Sequence, residues 1–194
     1  MTVPVDPIAV AVSVARVLDS LGIVHTIGGS IASSIAGEPR STVDIDIVAA
    51  LRESDVAALL SALSADFYVN DAALRRAVRE RSSANLIHQA TQLKVDIFVA
   101  GGTPLDEQQL HRRRAVEIAP GRTLHVHPPE DILLQKLRWY RKGGEASERQ
   151  WRDILGIIRV QAQRLDRDYL SVNAPVLGVA DLLARALGEA EGEG

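Results

Sequence analysis

The chain has 194 residues, a formal net charge of −3, no cysteine, and 46% hydrophobic beside 24% charged residues. That size and balance fit one globular domain, or a small domain with an appendage, able to bury a core. Disulfides and thiolate zinc sites are excluded, and the mild acidity argues against a general nucleic-acid-coating surface while leaving a local basic site open.

Residues 7 to 21 show helical spacing, with Ile8, Val12, Ala15 and Leu18 on one face and Gly22 as a stop. The apolar run Ile8 to Ala15 is too short to span a membrane, and no Lys or Arg precedes it as in a secretion signal. A core helix, no membrane partner and a cytoplasmic setting are therefore expected. Ile23 to Ile27 reads as a strand, Gly28-Gly29-Ser30 as a turn, and Ser30 to Ala36 as a short helix. A loop with Pro39 leads into a strand over Val43 to Ala49. Ser54 is expected to cap a helix running to about Leu63. Phe67 to Val69 reads as a brief strand and Asp71 to Arg81 as a polar helix.

Ala84 to His88 and Leu93 to Ala100 read as a hairpin, although the turn at Ala90-Thr91-Gln92 has no Gly or Asn. A helix over Asp106 to about Arg113 follows. Two strands, Val116 to Ile118 and Thr123 to Val126, flank the turn Pro120-Gly121-Arg122. After Pro128-Pro129 the pattern becomes helical throughout: about Glu130 to Arg141, Ser147 to Gln163, Arg167 to Val172 and Val176 to Ala190. Gly143-Gly144 breaks the first pair, and Ser147 with Gln150 makes a capping box. The expected organisation is an α+β core over residues 1–127, a small mixed sheet backed by helices, with a helical extension over 128–194 that packs on it.

Chemistry concentrates on two strands. Side chains alternate along a strand, so Asp44 and Asp46 project the same way, about 6–7 Å apart. The same alternation turns Asp96 outward with Lys94 and Phe98, while Leu93, Val95, Ile97 and Val99 face the core. If the two strands are neighbours, the three carboxylates converge. Such crowding is costly unless a hard cation relieves it. Two Mg²⁺ ions about 3.5–4 Å apart can clamp both the attacking and the leaving oxygen of a phosphoryl transfer. Gly28-Gly29-Ser30 lies where backbone N–H groups and a helix dipole attract anions, and Ser30 can donate to a phosphate oxygen. No Gly-Lys-Ser/Thr follows, so it is not a P-loop.

Gly-Gly-Ser, a thirteen-residue spacer, Asp-x-Asp between apolar residues and a later strand Asp resemble the nucleotidyltransferase fold of the DNA polymerase β superfamily. Arg40 to Ile47 is similar to its bacterial minimal and abortive-infection-toxin-like branches. Pro129-Glu130-Asp131-Ile132-Leu133-Leu134-Gln135-Lys136-Leu137 with Arg152-Asp153-Ile154-Leu155 resembles their helical segment, and the likeness covers roughly residues 20 to 160. It implies that Asp44, Asp46 and Asp96 hold two Mg²⁺ ions. Asp96 also helps deprotonate the acceptor. Gly28, Gly29 and Ser30 grip the terminal phosphates of a nucleoside triphosphate such as ATP, and Lys136 reaches the nucleotide phosphates. The implied reaction is transfer of a nucleoside monophosphate, with release of pyrophosphate, to a hydroxyl of RNA (tRNA included), protein or a small molecule. The alternatives are a nucleotide-binding or partner-binding module without turnover, or a toxin with an antitoxin partner.

Other residues have plainer readings. Asp153 either pairs with Arg149 one turn away or orients Lys136. Arg40 and Thr42 either position the site or serve the loop. Arg112-Arg113-Arg114 reads as a solvated run, with contact to RNA phosphates as the alternative. Trp139, Tyr140 and Trp151 are expected in the core. His125 and His127 share a strand face, but no third metal ligand is evident, and His25 and His88 read as structural or exposed.

Overall fold

The computed structural model describes residues 6–38 and 44–192, so Arg40, Thr42 and Val43 lie outside the described residues. These form two compact units: residues 6–31 with 44–126, and residues 32–38 with 127–192. Among the described residues no helix is long and apolar enough to cross a membrane.

The first unit opens with α1 (Pro7–Ser20) and β1 (His25–Ile27), then the first turn of α2 (Gly29–Ala36), β2 (Ile45–Ala49), α3 (Glu53–Leu63), β3 (Phe67–Val69) and α4 (Asp71–Glu80). It continues through β4 (Ser83–His88), β5 (Lys94–Val99), α5 (Pro104–His111), β6 (Arg114–Ala119) and β7 (Arg122–Val126). The seven strands form one mixed sheet in the order β3-β4-β5-β2-β1-β7-β6. β2 runs antiparallel to β1 and parallel to β5, and β1 runs parallel to β7. The fold is α+β with a C-terminal helical region.

Local chemistry explains the element ends. Asp6 Oδ1 accepts from the N–H groups of Ile8 and Ala9, and Pro7 opens α1 where its missing N–H costs nothing. The buried stripe of α1 centres on Ala11, Val14, Ala15 and Leu18. Ile8, expected on the core face, falls one turn before Ala11 at the open end of that stripe and is 39% exposed. Ser54 does not cap α3: Asp55 Oδ2 reaches back to accept the Arg52 N–H at 2.9 Å, which moves the cap to Arg52. The β4–β5 turn closes without Gly because Gln92 adopts φ +59° and the Thr91 hydroxyl bonds His88 Nδ1 at 2.7 Å.

Strand alternation places Ile45, Ile47 and Ala49 of β2, and Val95 and Ile97 of β5, fully in the core. α1 packs on β1 and β7, and α4 on β4 and β5. The opposite face of β2 and β5 carries the half-buried Asp46, Val48, Asp96 and Phe98.

The second unit holds the rest of α2 with α6 (Pro129–Lys142), α7 (Glu148–Gln161), a 3-10 turn (Ala162–Arg164), α8 (Arg167–Val176) and α9 (Ala180–Gly192). Its core joins Ala32 and Ala36 of α2 to Leu133, Leu137, Ile154, Ile157, Val179 and Ala186. Tyr140 and Trp151 are buried with ring centroids 5.0 Å apart, as expected. Trp139 is not: it is 49% exposed, with the Lys142 ammonium 4.9 Å from its ring. The last helix starts at Ala180 rather than Val176, because Gly178 takes φ +66° and ends the run that Pro175 had already weakened.

Candidate functional site

β2 and β5 bring two of the three expected carboxylates side by side. Parallel pairing sets Ile45 against Val95, Asp46 against Asp96 and Ile47 against Ile97. Paired residues on adjacent strands share a face and stand about 4.8 Å apart along the hydrogen-bond direction. Asp44 lies immediately before β2, exposed, two positions upstream of Asp46. On the other side of β5, Asn85 of β4 pairs with Asp96.

The glycine turn is fastened to the same aspartate. β1 pairs with β2 as far as Ile27 against Ile47, and one further bond, Gly28 N–H to the Asp46 carbonyl at 2.9 Å, carries the ladder into the turn. Gly29 then takes φ +53° at the start of α2. A Cβ on Gly29 would overlap Asp46 Oδ2 and lie 2.6 Å from Asp46 Cγ. The Asp46 carboxylate therefore rests on the bare Cα of Gly29, and both dihedral and space demand glycine. Ser30 follows in the first turn of the helix.

Lys94 completes the electrostatics. Its Nζ pairs with Asp96 Oδ2 at 2.8 Å. The bond to Asp96 is the main reason its ammonium is held above the usual lysine range, and the charges of Asp96, Asp44 and Asp46 push the same way. A lysine two positions before a strand aspartate shares its face. That spacing was visible in the sequence, but the ion pair itself was not anticipated.

No protein-family model matches the chain, and no curated protein matches it in sequence. Solved structures do match. An antigenic nucleotidyltransferase-like protein from Paracoccidioides brasiliensis aligns with TM-score 0.56 at 21% identity, over 94% of this chain and 92% of that one. The antibiotic-resistance factor ANT(2'')-Ia aligns in its solution structure with TM-score 0.53 at 11% identity, over 96% and 95% of the two chains. Its crystal structure with adenylyl-2''-tobramycin gives TM-score 0.53 at 10% identity, over 88% and 95%. The chain has the nucleotidyltransferase fold. In this nucleotidyltransferase fold the β1–turn–α2 passage, β2 and β5 are the segments that bear Gly28, Gly29, Ser30, Asp46 and Asp96, with Asp44 just ahead of β2.

Lys136 belongs to the second unit. Its Nζ donates to Asp153 Oδ2 at 2.8 Å, and the two side chains are only 12% and 9% exposed. Of the two readings of Asp153, the pairing with Lys136 is present at this distance. Elsewhere in the nucleotidyltransferase-fold chain, Arg113 donates to the Leu110 carbonyl at 3.1 Å, so the three-arginine run is not wholly solvated.

Proposed function

We propose that the chain is a Mg²⁺-dependent nucleotidyltransferase that moves a nucleoside monophosphate from a nucleoside triphosphate, ATP included, to a hydroxyl acceptor. One observation carries this reading: Asp46 and Asp96 stand in register on neighbouring parallel strands while the Gly28-Gly29 turn is bonded to Asp46. The fold likeness supports it. The donor set fits the metal, since carboxylate oxygens suit hard divalent cations. An ammonium already seated on Asp96 within the field of Asp44 and Asp46 supports the fit from a second side, because the cluster draws positive charge.

Mg²⁺ held by Asp44, Asp46 and Asp96 supplies charge neutralisation on the phosphates. The chain's own groups do the rest. Backbone N–H groups at the start of α2 and the Ser30 hydroxyl hold the terminal phosphates. Asp96 accepts the proton of the acceptor hydroxyl. That oxygen bonds to the α-phosphorus as the bond from the α-phosphorus to the bridging oxygen breaks, and pyrophosphate departs with the electron pair.

The test is incubation with α-labelled nucleoside triphosphates, Mg²⁺ and cell extract. Wild type is expected to transfer label, and Asp96→Asn to transfer it about 100-fold less or worse. Equal labelling by the two proteins overturns the assignment. A second reading, a nucleotide-binding module without turnover, draws on the same Lys94–Asp96 pair, because a carboxylate held by an ammonium is a poor base. Calorimetry with ATP that shows tight binding and no pyrophosphate release with any acceptor selects it.

A further inference from the structure

Two lysine–aspartate pairs in this chain have the same length and opposite surroundings. Lys136 Nζ lies 2.8 Å from Asp153 Oδ2, with side chains 12% and 9% exposed. Lys94 Nζ lies 2.8 Å from Asp96 Oδ2, with side chains 49% and 18% exposed. The first pair is enclosed, and neither charge can part from the other without standing uncompensated. The second ammonium ends a flexible four-carbon stem on a half-exposed side chain, so leaving its carboxylate returns it to solvent with little penalty.

What Lys94 holds is one of the three carboxylates offered to a cation. It stands two residues before Asp96 in β5 and so on the same face. The register that aligns Ile45 with Val95 and Asp46 with Asp96, continued by one position, brings Lys94 beside Asp44. The charges of Asp44 and Asp46 act on its ammonium in the same sense as that of Asp96. The lysine therefore cancels one of three negative charges that would otherwise face one another.

We propose that Lys94 is a resident counter-ion that competes with the divalent metal for Asp96, holding this carboxylate in the metal-free chain and leaving it when the metal binds. The proposal rests on the reading of Asp44, Asp46 and Asp96 as metal ligands, and adds the residue that sets how tightly the metal is held. Mg²⁺ approaches a carboxylate oxygen to about 2.0–2.1 Å. An ammonium kept on the same carboxylate then stands within about 5 Å of a doubly charged ion, whichever oxygen the metal takes, and the half-buried setting of Asp96 screens that repulsion only in part. Lys94 thus acts with opposite signs in two states. It relieves carboxylate repulsion in the metal-free protein, and it lowers the affinity for the ion that relieves the same repulsion.

The experiment is titration of chelator-stripped protein with Mn²⁺, which takes the same oxygen ligands as Mg²⁺, followed by loss of the free-ion paramagnetic resonance signal. Melting curves without metal and at saturating Mg²⁺ accompany it. Lys94→Met is expected to bind Mn²⁺ about tenfold more tightly than wild type, to melt lower without metal, and to show the larger rise in Tm with it. A purely structural lysine predicts no gain in affinity. Lys94→Arg keeps the charge and is expected to bind Mn²⁺ no more tightly than wild type. Equal or weaker Mn²⁺ binding by Lys94→Met overturns the inference and leaves the metal reading standing. Failure of both proteins to bind Mn²⁺, or uptake that is indifferent to Asp46→Asn, overturns the metal reading and the inference with it.

Discussion

Gly28 and Gly29 are neighbours with different tasks. At Gly28 an added Cβ meets nothing closer than 3.9 Å, so the residue is there for its N–H, which alanine also has. At Gly29 the backbone is left-handed and the Asp46 carboxylate fills the space of a side chain. Gly29→Ala is expected to cost about 2 kcal/mol, lowering Tm by roughly 4–8 °C, while Gly28→Ala shifts it little. Differential scanning calorimetry of the two variants measures the contrast. His25 offers a pH-dependent counterpart. Burial is the main cause that holds its imidazole below the usual histidine range, against the Ile23 carbonyl and Asp19, which pull the other way. Below about pH 6.5 the unfolded ring takes up a proton that the folded ring refuses, so the unfolded state binds more protons and stability falls as pH is lowered. The decline ends once pH drops below the folded value. His25→Gln is expected to flatten this limb in urea titrations between pH 7 and 5. The carboxylate face was legible residue by residue, because alternation in Val95-Asp96-Ile97 and Ile45-Asp46-Ile47 leaves only one way to bury the apolar set. The approach of Asp19 to His25 and His125, at 3.8 and 4.0 Å, was not, since the three come from a helix end and two separate strands.

At the scale of elements, α6 and α7 join through Lys136 and Asp153, opposite charges that are both nearly buried. A buried ion pair adds little over a packed apolar pair, but removing one partner leaves the other charge poorly compensated. Lys136→Met alone is therefore expected to destabilise by about 3 kcal/mol, and Lys136→Met/Asp153→Leu to recover most of it, in chemical denaturation. A coupling near zero in that double-mutant cycle overturns the account. Most element types were legible from period and caps: Ser147 accepts the Gln150 N–H at 3.3 Å, and Gly121 turns β6 into β7 at φ +68°. The misses have local causes. Ser54 lost the cap to Asp55, whose carboxylate is the stronger acceptor for a helix N-terminal N–H. Gln92 stands where glycine was sought, because the Thr91 hydroxyl secures the turn.

For the whole molecule, long-range association is what the sequence left unread. Nothing near Ala32 or Ala36 signals that they bury with Leu133, Ile154 and Val179 rather than with the strands before them. Nor does local pattern reveal a seven-stranded order in which β2 lies between β1 and β5. That order has a kinetic consequence. Asp46 and Asp96 are 50 positions apart in sequence and become neighbours only when β2 and β5 dock. Their mutual repulsion is thus weak in the denatured chain and develops as the sheet closes. A divalent ion that relieves it acts on the completed structure more than on early collapse. If the proposed Mg²⁺ binds there, it is expected to prolong the lifetime of the native state while leaving the rate of its formation nearly unchanged.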